Sequence, residues 1–445
     1  MPEKGQIIIG TLQQAGFEAY AVGGCVRDSI LGREPQDWDI TTSARPEQVK
    51  ALFPRTIDTG LAHGTVTVML QGEGFEVTTY RIDGTYEDSR HPREVTFTSD
   101  LGEDLRRRDL TINAMAYNDA TGLVDLFGGM EDLRRGIVRC VGDPCQRFQE
   151  DALRILRAIR FSAQLGYAIE EGTAAAIQKL APTLRRISAE RIQAELTKLM
   201  VSPHPDYLRF AYDTGVTKVI FPEFDKAMQT PQNHPHHCYS VGEHILHSLE
   251  KVEADKTLRL TMLLHDIGKP AVATVDGDGR NHFHGHAAAG AQMAQGILRR
   301  LKFDNDTIRK VCRLVEFHDY GSGVDMDIRL ARRALHRIGE ESFPALFAVK
   351  RADICAQSAY LRQEKLDMLE KWQRLYGQIR EENQCVSLRT LAVSGSDLIA
   401  AGHRPGKKLG ETLGCLLELV LEDPARNTKQ WLLAAAEEYR QETGK

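Results

Sequence analysis

The sequence lacks several features that would place it in a special class of protein. Its 445 residues include no apolar run of the roughly 18 residues that a spanning helix needs, so we expect no membrane partner. The first residues have neither the basic stretch nor the apolar core of a signal peptide, which favours a cytoplasmic location. The eight cysteines are scattered and form no Cys-x-x-Cys pair, which argues against a disulfide framework or a zinc ribbon.

A strong net charge is also absent, and histidine is the one compositional bias. The 57 basic and 62 acidic residues leave a formal charge of −5, which gives no global indication of a nucleic-acid partner. Nine of the fifteen histidines, however, lie between His234 and His286. Such a concentration indicates metal chemistry in that part of the chain.

The hydrophobic pattern divides the chain into a mixed head and a long helical remainder. Up to about residue 142, strand-like and helix-like segments alternate, and the turn Gln71–Gly74 between two strand-like segments predicts a hairpin. Beyond that point the period is helical almost throughout. We therefore predict a multidomain protein with an α+β head that contains a small mixed sheet, followed by all-α regions. The predicted boundaries are 1–142, 143–230, 231–358 and 359–445.

A glycine turn and a pair of aspartates form the first candidate site. Gly23 and Gly24 follow a short apolar strand and open a predicted helix that carries Arg27, so backbone amides and a cation can approach an anion there. Asp37 and Asp39 are two residues apart in an extended segment, which points both carboxylates to one side. Paired carboxylates repel unless a divalent cation lies between them, and Mg²⁺ combines such ligands with substrate phosphates.

Two further features of the head have both a functional and an ordinary interpretation. Glu76, on the polar face of the hairpin, is either a third carboxylate of the site or a solvent-facing strand residue. The run Arg106–Arg108 precedes an apolar segment. Near a metal–triphosphate site it would contact phosphates, although charge runs are usually solvated faces.

Four segments of the head together resemble class II CCA-adding enzymes and their poly(A) polymerase relatives in the nucleotidyltransferase superfamily. They are Gly23–Asp28, Asp37–Asp39, Arg107–Ala114 and Asp125–Gly129. The resemblance implies that Asp37, Asp39 and Glu76 are catalytic and that the two aspartates hold Mg²⁺. The nucleotide-binding residues that it implies in the head are Gly23, Gly24, Arg27, Arg108, Asp109 and Asn113. It also matches Asp83–Pro92 to the flexible loop of enzymes that add the full CCA.

The segment Glu150–Phe161 is predicted to form one amphipathic helix on which Asp151, Arg154 and Arg157 step by three and share a face. A salt-bridged exposed stripe is the common alternative. The resemblance implies that the motif Glu-Asp-x-x-Arg at its start reads the base, and that Arg157 and Arg160 also belong to the nucleotide site. A carboxylate and a guanidinium match the amine donor and ring-nitrogen acceptor of cytosine and adenine, whereas guanine and uracil present the reverse pattern.

The histidine-rich region contains a second candidate site. Leu258–Leu264 predicts a buried helix that delivers His265 and Asp266 at its end, although an adjacent His–Asp pair is more often a cap or a surface pair. With His244 upstream and Asp353 downstream, the set resembles the HD phosphohydrolase superfamily. That resemblance implies an HD domain in which these four residues bind a metal.

Other histidines enter this second resemblance as additional or alternative ligands. His286 and His318 match extra ligands of some members, and His237 or His247 are alternatives to His244. Imidazole and carboxylate together suit Mn²⁺, Ni²⁺ or Co²⁺ better than Mg²⁺. Such a site would hydrolyse phosphate esters, including a 2′,3′-cyclic phosphate on a tRNA end. A structural metal or an inactive fold is the alternative.

The two resemblances together predict an enzyme that adds CCA to tRNA from CTP and ATP, with a nucleotidyltransferase head, an all-α neck, an HD domain and a helical tRNA-binding tail, as a monomer or homodimer. A poly(A) polymerase, or an enzyme that adds only CC or A, would use the same head chemistry. An inactive tRNA-binding protein is a third alternative. The segment Thr59–Val68 favours CCA addition, because it lacks the basic glycine–arginine-rich strand of bacterial poly(A) polymerases.

Overall fold

The protein is described here by a computed structural model that covers residues 1–83, 95–233 and 238–443. These residues form two compact units, Met1–Asp225 with Arg300–Phe303, and Lys226–Arg299 with Asp304–Lys445. The predicted division into four domains is finer than these two units and stays a prediction. All eight cysteines are free thiols, as the sequence predicts. Within the described ranges no helix has both the length and the apolar character to cross a membrane.

The first unit contains a seven-stranded mixed sheet in the order β3-β4-β5-β2-β1-β8-β9, with β6 and β7 paired as a separate ribbon. The strands are β1 (Ala19–Val22), β2 (Ile40–Thr42), β3 (Thr56–Gly60), β4 (Thr65–Leu70), β5 (Glu73–Thr79), β6 (Arg81–Asp83), β7 (Val95–Phe97), β8 (Met115–Asn118) and β9 (Gly122–Asp125). Strands β2 and β5 run parallel, and the other neighbours in the sheet are antiparallel. The predicted mixed sheet of the head is therefore confirmed.

The predicted hairpin is formed by β4 and β5. Gln71 and Gly72 connect them with φ values of 51° and 83°, and positive φ at both turn residues is typical of a type I′ turn. Val66 and Val68 on β4 are buried, as is Phe75 on β5, so one face of the hairpin packs into the head. The other face is left for polar residues.

Twelve helices accompany the sheet in and just beyond the first unit. They are α1 (Glu3–Gln14), α2 (Gly24–Ile30), α3 (Pro46–Leu52), α4 (Leu101–Arg106), α5 (Gly129–Arg135), α6 (Pro144–Glu150), α7 (Leu153–Leu165), α8 (Glu171–Leu180), α9 (Ala189–Met200), α10 (Leu208–Asp213), α11 (Thr217–Ile220) and α12 (Pro222–Met228). A two-residue ribbon, β10 (Ile137–Val138) and β11 (Ala168–Ile169), lies among them.

The prediction of a single helix over Glu150–Phe161 was wrong. Helix α6 ends at Glu150, Asp151 is extended with φ −143°, and α7 begins at Leu153. The Asp151 carboxylate accepts a hydrogen bond from the Leu153 backbone amide at 3.0 Å. Asp151 therefore accepts a hydrogen bond from a free backbone N–H at the start of α7 and does not lie on a face of that helix. Short acidic side chains commonly form such bonds, which favours a helix end over a helix interior at this position.

The second unit is almost entirely helical, as predicted for the body. Its helices are α13 (Val241–Leu249), α14 (Lys256–Leu264), α15 (Lys269–Val272), α16 (His286–Arg300), α17 (Asn305–Phe317), α18 (Ile328–Ile338), α19 (Phe343–Ala356), α20 (Arg362–Glu381), α21 (Gly395–Ala400), α22 (Lys407–Glu422) and α23 (Lys429–Thr443), with a short ribbon of β12 (Thr274–Val275) and β13 (Asn281–His282). The six helices from α18 to α23 share one hydrophobic core, which includes Phe343, Trp372 and Leu416. Helix α14 ends one residue before His265, where the sequence predicts the end of a buried helix.

Candidate functional site

The glycine turn after β1 makes room for an arginine. Gly23 has φ 86° and ψ −130°, a conformation that favours glycine. A Cβ at this position would lie 3.0 Å from Nη1 of Arg108. The turn thus lets a guanidinium pack against the backbone where α2 begins.

Three carboxylates, which we call the carboxylate triad (Asp37, Asp39 and Glu76), lie at the edge of this turn. The parallel register pairs Ile40 of β2 with Val77 of β5, so the preceding residues, Asp39 and Glu76, stand at the same level. All three side chains are exposed. Their ligand atoms are not among the described groups that lie within 4.8 Å of one another.

The charges of the carboxylate triad nevertheless affect one another. Partial removal from water is the main reason that the pKa of Asp39 is raised, and the Asp37 charge raises it further against the opposing effect of Arg108. The pKa of Glu76 is also raised, first by desolvation and then by the charges of Asp39 and Asp37. The triad is therefore a concentration of negative charge that a cation would stabilise.

The three arginines at positions 106–108 have different partners. Arg106 and Arg107 pair with Glu103 and Asp104 on their own helix, α4. Arg108 Nη2 lies 3.6 Å from Asp104 Oδ2, and its charge also acts on Asp39. Burial lowers the pKa of Arg108. Only this third arginine of the run is placed against the glycine turn.

A chain of hydrogen bonds connects α2 to α7 through the segment after α4. Arg27 Nη1 donates to Asn113 Oδ1 at 2.6 Å, and Asn113 Nδ2 donates to Asp109 Oδ1 at 3.5 Å. Arg157 Nε donates to Asp109 Oδ2 at 2.6 Å. Burial alone would raise the pKa of Asp109, but the charge and hydrogen bond of Arg157 outweigh it and hold the pKa below its ordinary value. These four predicted nucleotide-binding residues are thus brought together.

The remaining predicted nucleotide-binding residues have partners of their own. Asp151 accepts from Arg191 Nη2 at 2.6 Å. Arg154 donates to Glu150 at 2.6 Å and to the carbonyl of Arg107 at 3.0 Å. Asp151 therefore lies outside the helix at the α6–α7 junction, and the expectation that it shares one helix face with Arg154 and Arg157 is not met. Arg154 and Arg157 are three residues apart on α7 and do share a face.

Arg160 has a different carboxylate partner, and an aromatic residue lies among the arginines. Arg160 Nε lies 2.6 Å from Glu195 Oε2, and its guanidinium is 3.8 Å from the centre of the Phe161 ring. Arg27 and Arg157 lie 4.8 and 5.6 Å from the same ring centre. Phe161 was not predicted as a site residue, and its only sequence signal is an aromatic residue beside Arg160.

The second unit holds a histidine–aspartate cluster, which we define as His244, His265, Asp266, His286, His318 and Asp353. Ligand atoms of His244, His265 and Asp266 lie within 4.8 Å of one another, as do those of Asp266, His286 and His318. Asp353 Oδ1 lies 2.9 Å from His244 Nε2. All six predicted ligands are therefore brought together, with Asp266 common to both groups.

The orientation of three imidazoles is set by the backbone. Nδ1 of His265, His286 and His318 lies 2.8, 2.9 and 2.7 Å from a main-chain carbonyl oxygen, to which it donates. With Nδ1 engaged in this way, Nε2 is the nitrogen that faces the cluster. The Nε2 atoms of all three lie 3.4 to 3.6 Å from the Asp266 carboxylate. Metal-binding histidines are usually held in this way by their other nitrogen.

Asp266 is the buried centre of the cluster. It is 2% exposed, and its Oδ2 accepts from Lys269 Nζ at 2.7 Å. Burial opposes ionisation, but Lys269 and His265 hold the pKa of Asp266 well below its ordinary value. Gly268 lets the first turn of α16 approach the backbone that follows Asp266, since a Cβ at Gly268 would lie 2.3 Å from the carbonyl oxygen of His286. Lys269, one turn after Asp266, was not predicted from the sequence.

The alternatives to His244 do not take its place within the described residues. The His247 ring packs on Tyr239 with centroids 4.2 Å apart, away from the cluster. His237 lies outside the described residues, as does the predicted flexible loop from Gly84 to Pro92. His244 is accordingly the predicted ligand that lies beside Asp353.

Comparison with known proteins identifies related sequences along most of the chain. Residues 19–139 match the poly A polymerase head domain, residues 166–228 an RNA and SrmB binding site of polymerase A, and residues 286–436 the tRNA nucleotidyltransferase domain 2. These ranges leave out 229–285, which carries His244, His265 and Asp266.

Full-length relatives define the family. A CCA-adding enzyme of Levilactobacillus brevis is 35% identical over 442 residues, covering 97% of each chain. One of Lactobacillus helveticus is 36% identical over 430 residues, covering 96% of this chain and 94% of that one. The crystal structure of Bacillus stearothermophilus CCA-adding enzyme in complex with CTP is 30% identical, with a TM-score of 0.74 over 100% of this chain and 99% of that one. The chain therefore belongs to the class II CCA-adding enzymes, the tRNA nucleotidyltransferases related to poly(A) polymerases.

Proposed function

We propose that this enzyme adds CCA to the 3′ end of tRNA from CTP and ATP without a nucleic-acid template. The observation that carries the proposal is the carboxylate triad at the glycine turn, next to Arg108. Full-length similarity to CCA-adding enzymes, one of them solved with CTP, supports it. A protein that only binds tRNA would have no need for three carboxylates beside a glycine turn.

The donor set of the triad fits Mg²⁺. Carboxylate oxygens are the ligands that Mg²⁺ prefers. The pKa values of Asp39 and Glu76 are raised first by desolvation and then by the neighbouring carboxylate charges, and a bound cation would offset both effects. We propose that Asp37 and Asp39 hold the ions and that Glu76 adds the third carboxylate. Bound Mg²⁺ would supply charge neutralisation for the triphosphate and a more acidic acceptor hydroxyl.

The chain's own cations would position the nucleotide. Arg108, packed against Gly23, would donate to phosphate oxygens, because a guanidinium offers several parallel donors. Asn113 and Asp109 are held by Arg27 and Arg157, so their remaining hydrogen-bonding capacity has a defined direction. Such preorganisation lowers the cost of fixing the ribose and phosphates in the reactive orientation.

We propose that Asp151 and Arg154 select the base. A carboxylate would accept from the exocyclic amine of cytosine or adenine, and a guanidinium would donate to the adjacent ring nitrogen. Both side chains are engaged by Arg191 and Glu150, so base binding would exchange or share these partners. Arg157 and Arg160 would act by positioning, through Asp109 and Glu195.

The decisive experiment uses tRNA transcripts that lack the terminal A, CA or CCA. Each is incubated with one labelled triphosphate at a time, then with CTP and ATP together, in Mg²⁺. Incorporation that stops after CCA supports the proposal. Long A tails would instead indicate a poly(A) polymerase, and loss of a single step would indicate a partial adder. Binding without incorporation would leave a tRNA-binding protein.

We propose a second function, metal-dependent hydrolysis of phosphate esters, for the histidine–aspartate cluster. The observation in its favour is the set of three imidazole Nε2 atoms that lie 3.4 to 3.6 Å from the buried Asp266 carboxylate. Such a set of imidazole and carboxylate ligands fits Mn²⁺, Ni²⁺ or Co²⁺, and we propose that all six residues of the cluster serve as ligands. Bound metal would supply an acidified water and a contact for the phosphoryl oxygens.

Adenosine 2′,3′-cyclic phosphate tests this second function. Hydrolysis that requires added Mn²⁺ or Ni²⁺ and disappears in Asp266→Ala supports it. An intact substrate together with unchanged metal binding in Asp266→Ala would refute it, and tight metal binding without hydrolysis would identify a structural metal.

A further inference from the structure

Asp104 is a completely buried carboxylate of the head to which the proposed mechanism gives no role. It lies on α4 and is 0% exposed. Thr41, which follows Asp39 by two residues, donates from Oγ1 to Asp104 Oδ2 at 3.1 Å. Burial of a carboxylate is costly unless donors and cations surround it. The charge of Asp104 must therefore be balanced by neighbouring groups.

Two arginines of the run at positions 106–108 balance this charge. Arg107 donates through Nε and Nη2 to Asp104 Oδ1 at 2.9 and 2.8 Å. Arg108 Nη2 lies 3.6 Å from the other oxygen, Oδ2, and Asp104 is the only carboxylate among the described residues that pairs with Arg108. Burial alone would raise the pKa of Asp104, but the charges of Arg107 and Arg108 outweigh it and lower the pKa. Asp104 is therefore an anion in the folded protein.

Arg108 lies between Asp104 and the carboxylate triad. Its Nη1 packs against Gly23, and the amide of the preceding residue, Val22, donates to the carbonyl oxygen of Asp39 at 2.9 Å. The guanidinium and Asp39 are thus both found at the end of β1. Desolvation raises the pKa of Asp39, and the charge of Arg108 opposes this rise. A guanidinium that moved from Asp104 to Asp39 would pair with a proposed Mg²⁺ ligand and compete with the ion.

We propose that Asp104 is a positioning residue that holds Arg108 away from Asp39 and so keeps this carboxylate available to Mg²⁺. The inference rests on the proposed nucleotidyl transfer at the carboxylate triad. The ion pair with Asp104 also directs Arg108 to the glycine turn, where we expect the triphosphate. One arginine can then serve the phosphates without neutralising the metal ligands.

Asp104→Asn tests the proposal, because it preserves the size of the side chain and removes the charge. We expect the Mg²⁺ concentration that half-saturates CTP addition to tRNA to rise about fivefold, the size of a partly exposed charge pair. The kcat should recover at saturating Mg²⁺, since excess ion displaces the arginine. A merely structural role would lower the active fraction and leave the Mg²⁺ dependence as it is.

Isothermal titration of the full-length protein with Mg²⁺ measures the same loss of affinity without catalysis. The histidine–aspartate cluster is identical in wild type and variant, so a difference between them reports on the head. An unchanged Mg²⁺ requirement and an unchanged affinity in folded Asp104→Asn would overturn the proposal.

The double variant Asp104→Asn with Arg108→Gln separates competition from damage to the site. Without the competing guanidinium, the Mg²⁺ requirement should return to the wild-type value. The KM for CTP should stay raised, because a donor to the phosphates is lost. A Mg²⁺ requirement that remains high in the double variant would show that Arg108 is not the competitor, and the proposal would fall.

Asp132→Asn is the matched control. Asp132 is also a buried carboxylate of the head, accepts from Thr111 Oγ1 at 2.7 Å and pairs with Arg139 at 3.1 Å. Its substitution should lower the melting temperature, as that of Asp104 does, but leave the Mg²⁺ dependence unchanged. An equal shift in both variants would overturn the proposal, because loss of any buried carboxylate would then explain the effect.

Thr41→Val provides a second test if Asp104→Asn does not fold. It removes one hydrogen bond to Asp104 but no charge, so the carboxylate should hold Arg108 less firmly and the Mg²⁺ requirement should rise about twofold. With Asp104→Asn unfolded, an unchanged requirement in Thr41→Val would overturn the proposal.

The two kinds of measurement also separate this proposal from the proposed function. If the wild type adds no nucleotide, yet titration shows a loss of Mg²⁺ affinity in Asp104→Asn that Arg108→Gln reverses, nucleotidyl transfer fails and the positioning role stands. If the wild type adds CCA and Asp104→Asn shifts neither measurement, the positioning role is refuted alone.

Discussion

The carboxylate triad and the histidine–aspartate cluster both concentrate negative charge, but they balance it in opposite ways. The triad is exposed, and the pKa values of Asp39 and Glu76 are raised. In the cluster, Asp266 is buried against Lys269 and its pKa is lowered. A site that receives and releases a charged nucleotide at each turnover has to remain open to water. A site for a resident ion can be assembled in advance from buried groups.

Substitution of the exposed site should have the largest effect. Asp39→Asn keeps the size of the side chain but removes the charge, so nucleotide addition should fall by about 10³-fold while tRNA binding persists. Single-turnover incorporation of CTP and a filter-binding assay measure the two. Asp58→Asn, an exposed aspartate on β3 paired with Lys50, is the control and should behave as wild type. Undiminished incorporation in Asp39→Asn would remove the metal role of the triad.

The corresponding change in the buried site should act on metal affinity. Asp266→Asn leaves Lys269 and three imidazoles without their common carboxylate, so Mn²⁺ or Ni²⁺ affinity should fall by about 100-fold. Equilibrium dialysis measures it. Asp276→Asn is the control, because Asp276 forms an exposed pair with His282 at 2.8 Å. Equal affinities of wild type and Asp266→Asn would mean that the cluster is not a metal site.

The Asp109–Arg157 ion pair tests whether the first unit, like the second, also contains a buried carboxylate that a cation stabilises in the folded protein. Asp109→Asn should lower the free energy of unfolding at pH 7 by about 2–3 kcal/mol, a value reduced for the partial exposure of Arg157. The pKa of Asp109 is lowered in the folded state, so this stabilisation is present above the ordinary aspartate pKa and is lost as pH falls below it. Urea unfolding at pH 7 and pH 3 should show the difference shrinking in acid. A difference that is independent of pH would contradict the ion pair.

The smallest expected effect concerns base choice. Arg154→Gln removes the cation but retains a donor, so discrimination of CTP and ATP against UTP and GTP should fall by about tenfold. Competition between labelled triphosphates measures the ratio. Arg134→Gln, an exposed arginine on α5, should leave the ratio unchanged. Unaltered selection in Arg154→Gln would assign base reading to other residues.

Local sequence patterns predicted much of the fold and of both sites. The hairpin at Gln71–Gly72 and the buried helix before His265 follow from alternation, turn residues and apolar periodicity, which depend on near neighbours. The break at Asp151 did not follow, because the same residue suits a helix face and a helix cap, and its pairing with Arg191 helps to hold it off the helix. The ion pair between Arg160 and Glu195 could not be predicted from the sequence either, since it depends on how α7 packs against α9.

The amino-acid sequence alone specifies which chemical groups are available and which of them are close along the chain. Asp37 and Asp39, or His265 and Asp266, are neighbours in any fold that keeps the local backbone extended or helical. Which distant groups join them depends on the three-dimensional fold. The parallel pairing of β2 with β5 sets Glu76 level with Asp39, and helix packing brings Asp353 to His244 across 109 residues. Strand register and helix packing depend on burial of the whole core, and no short segment encodes that.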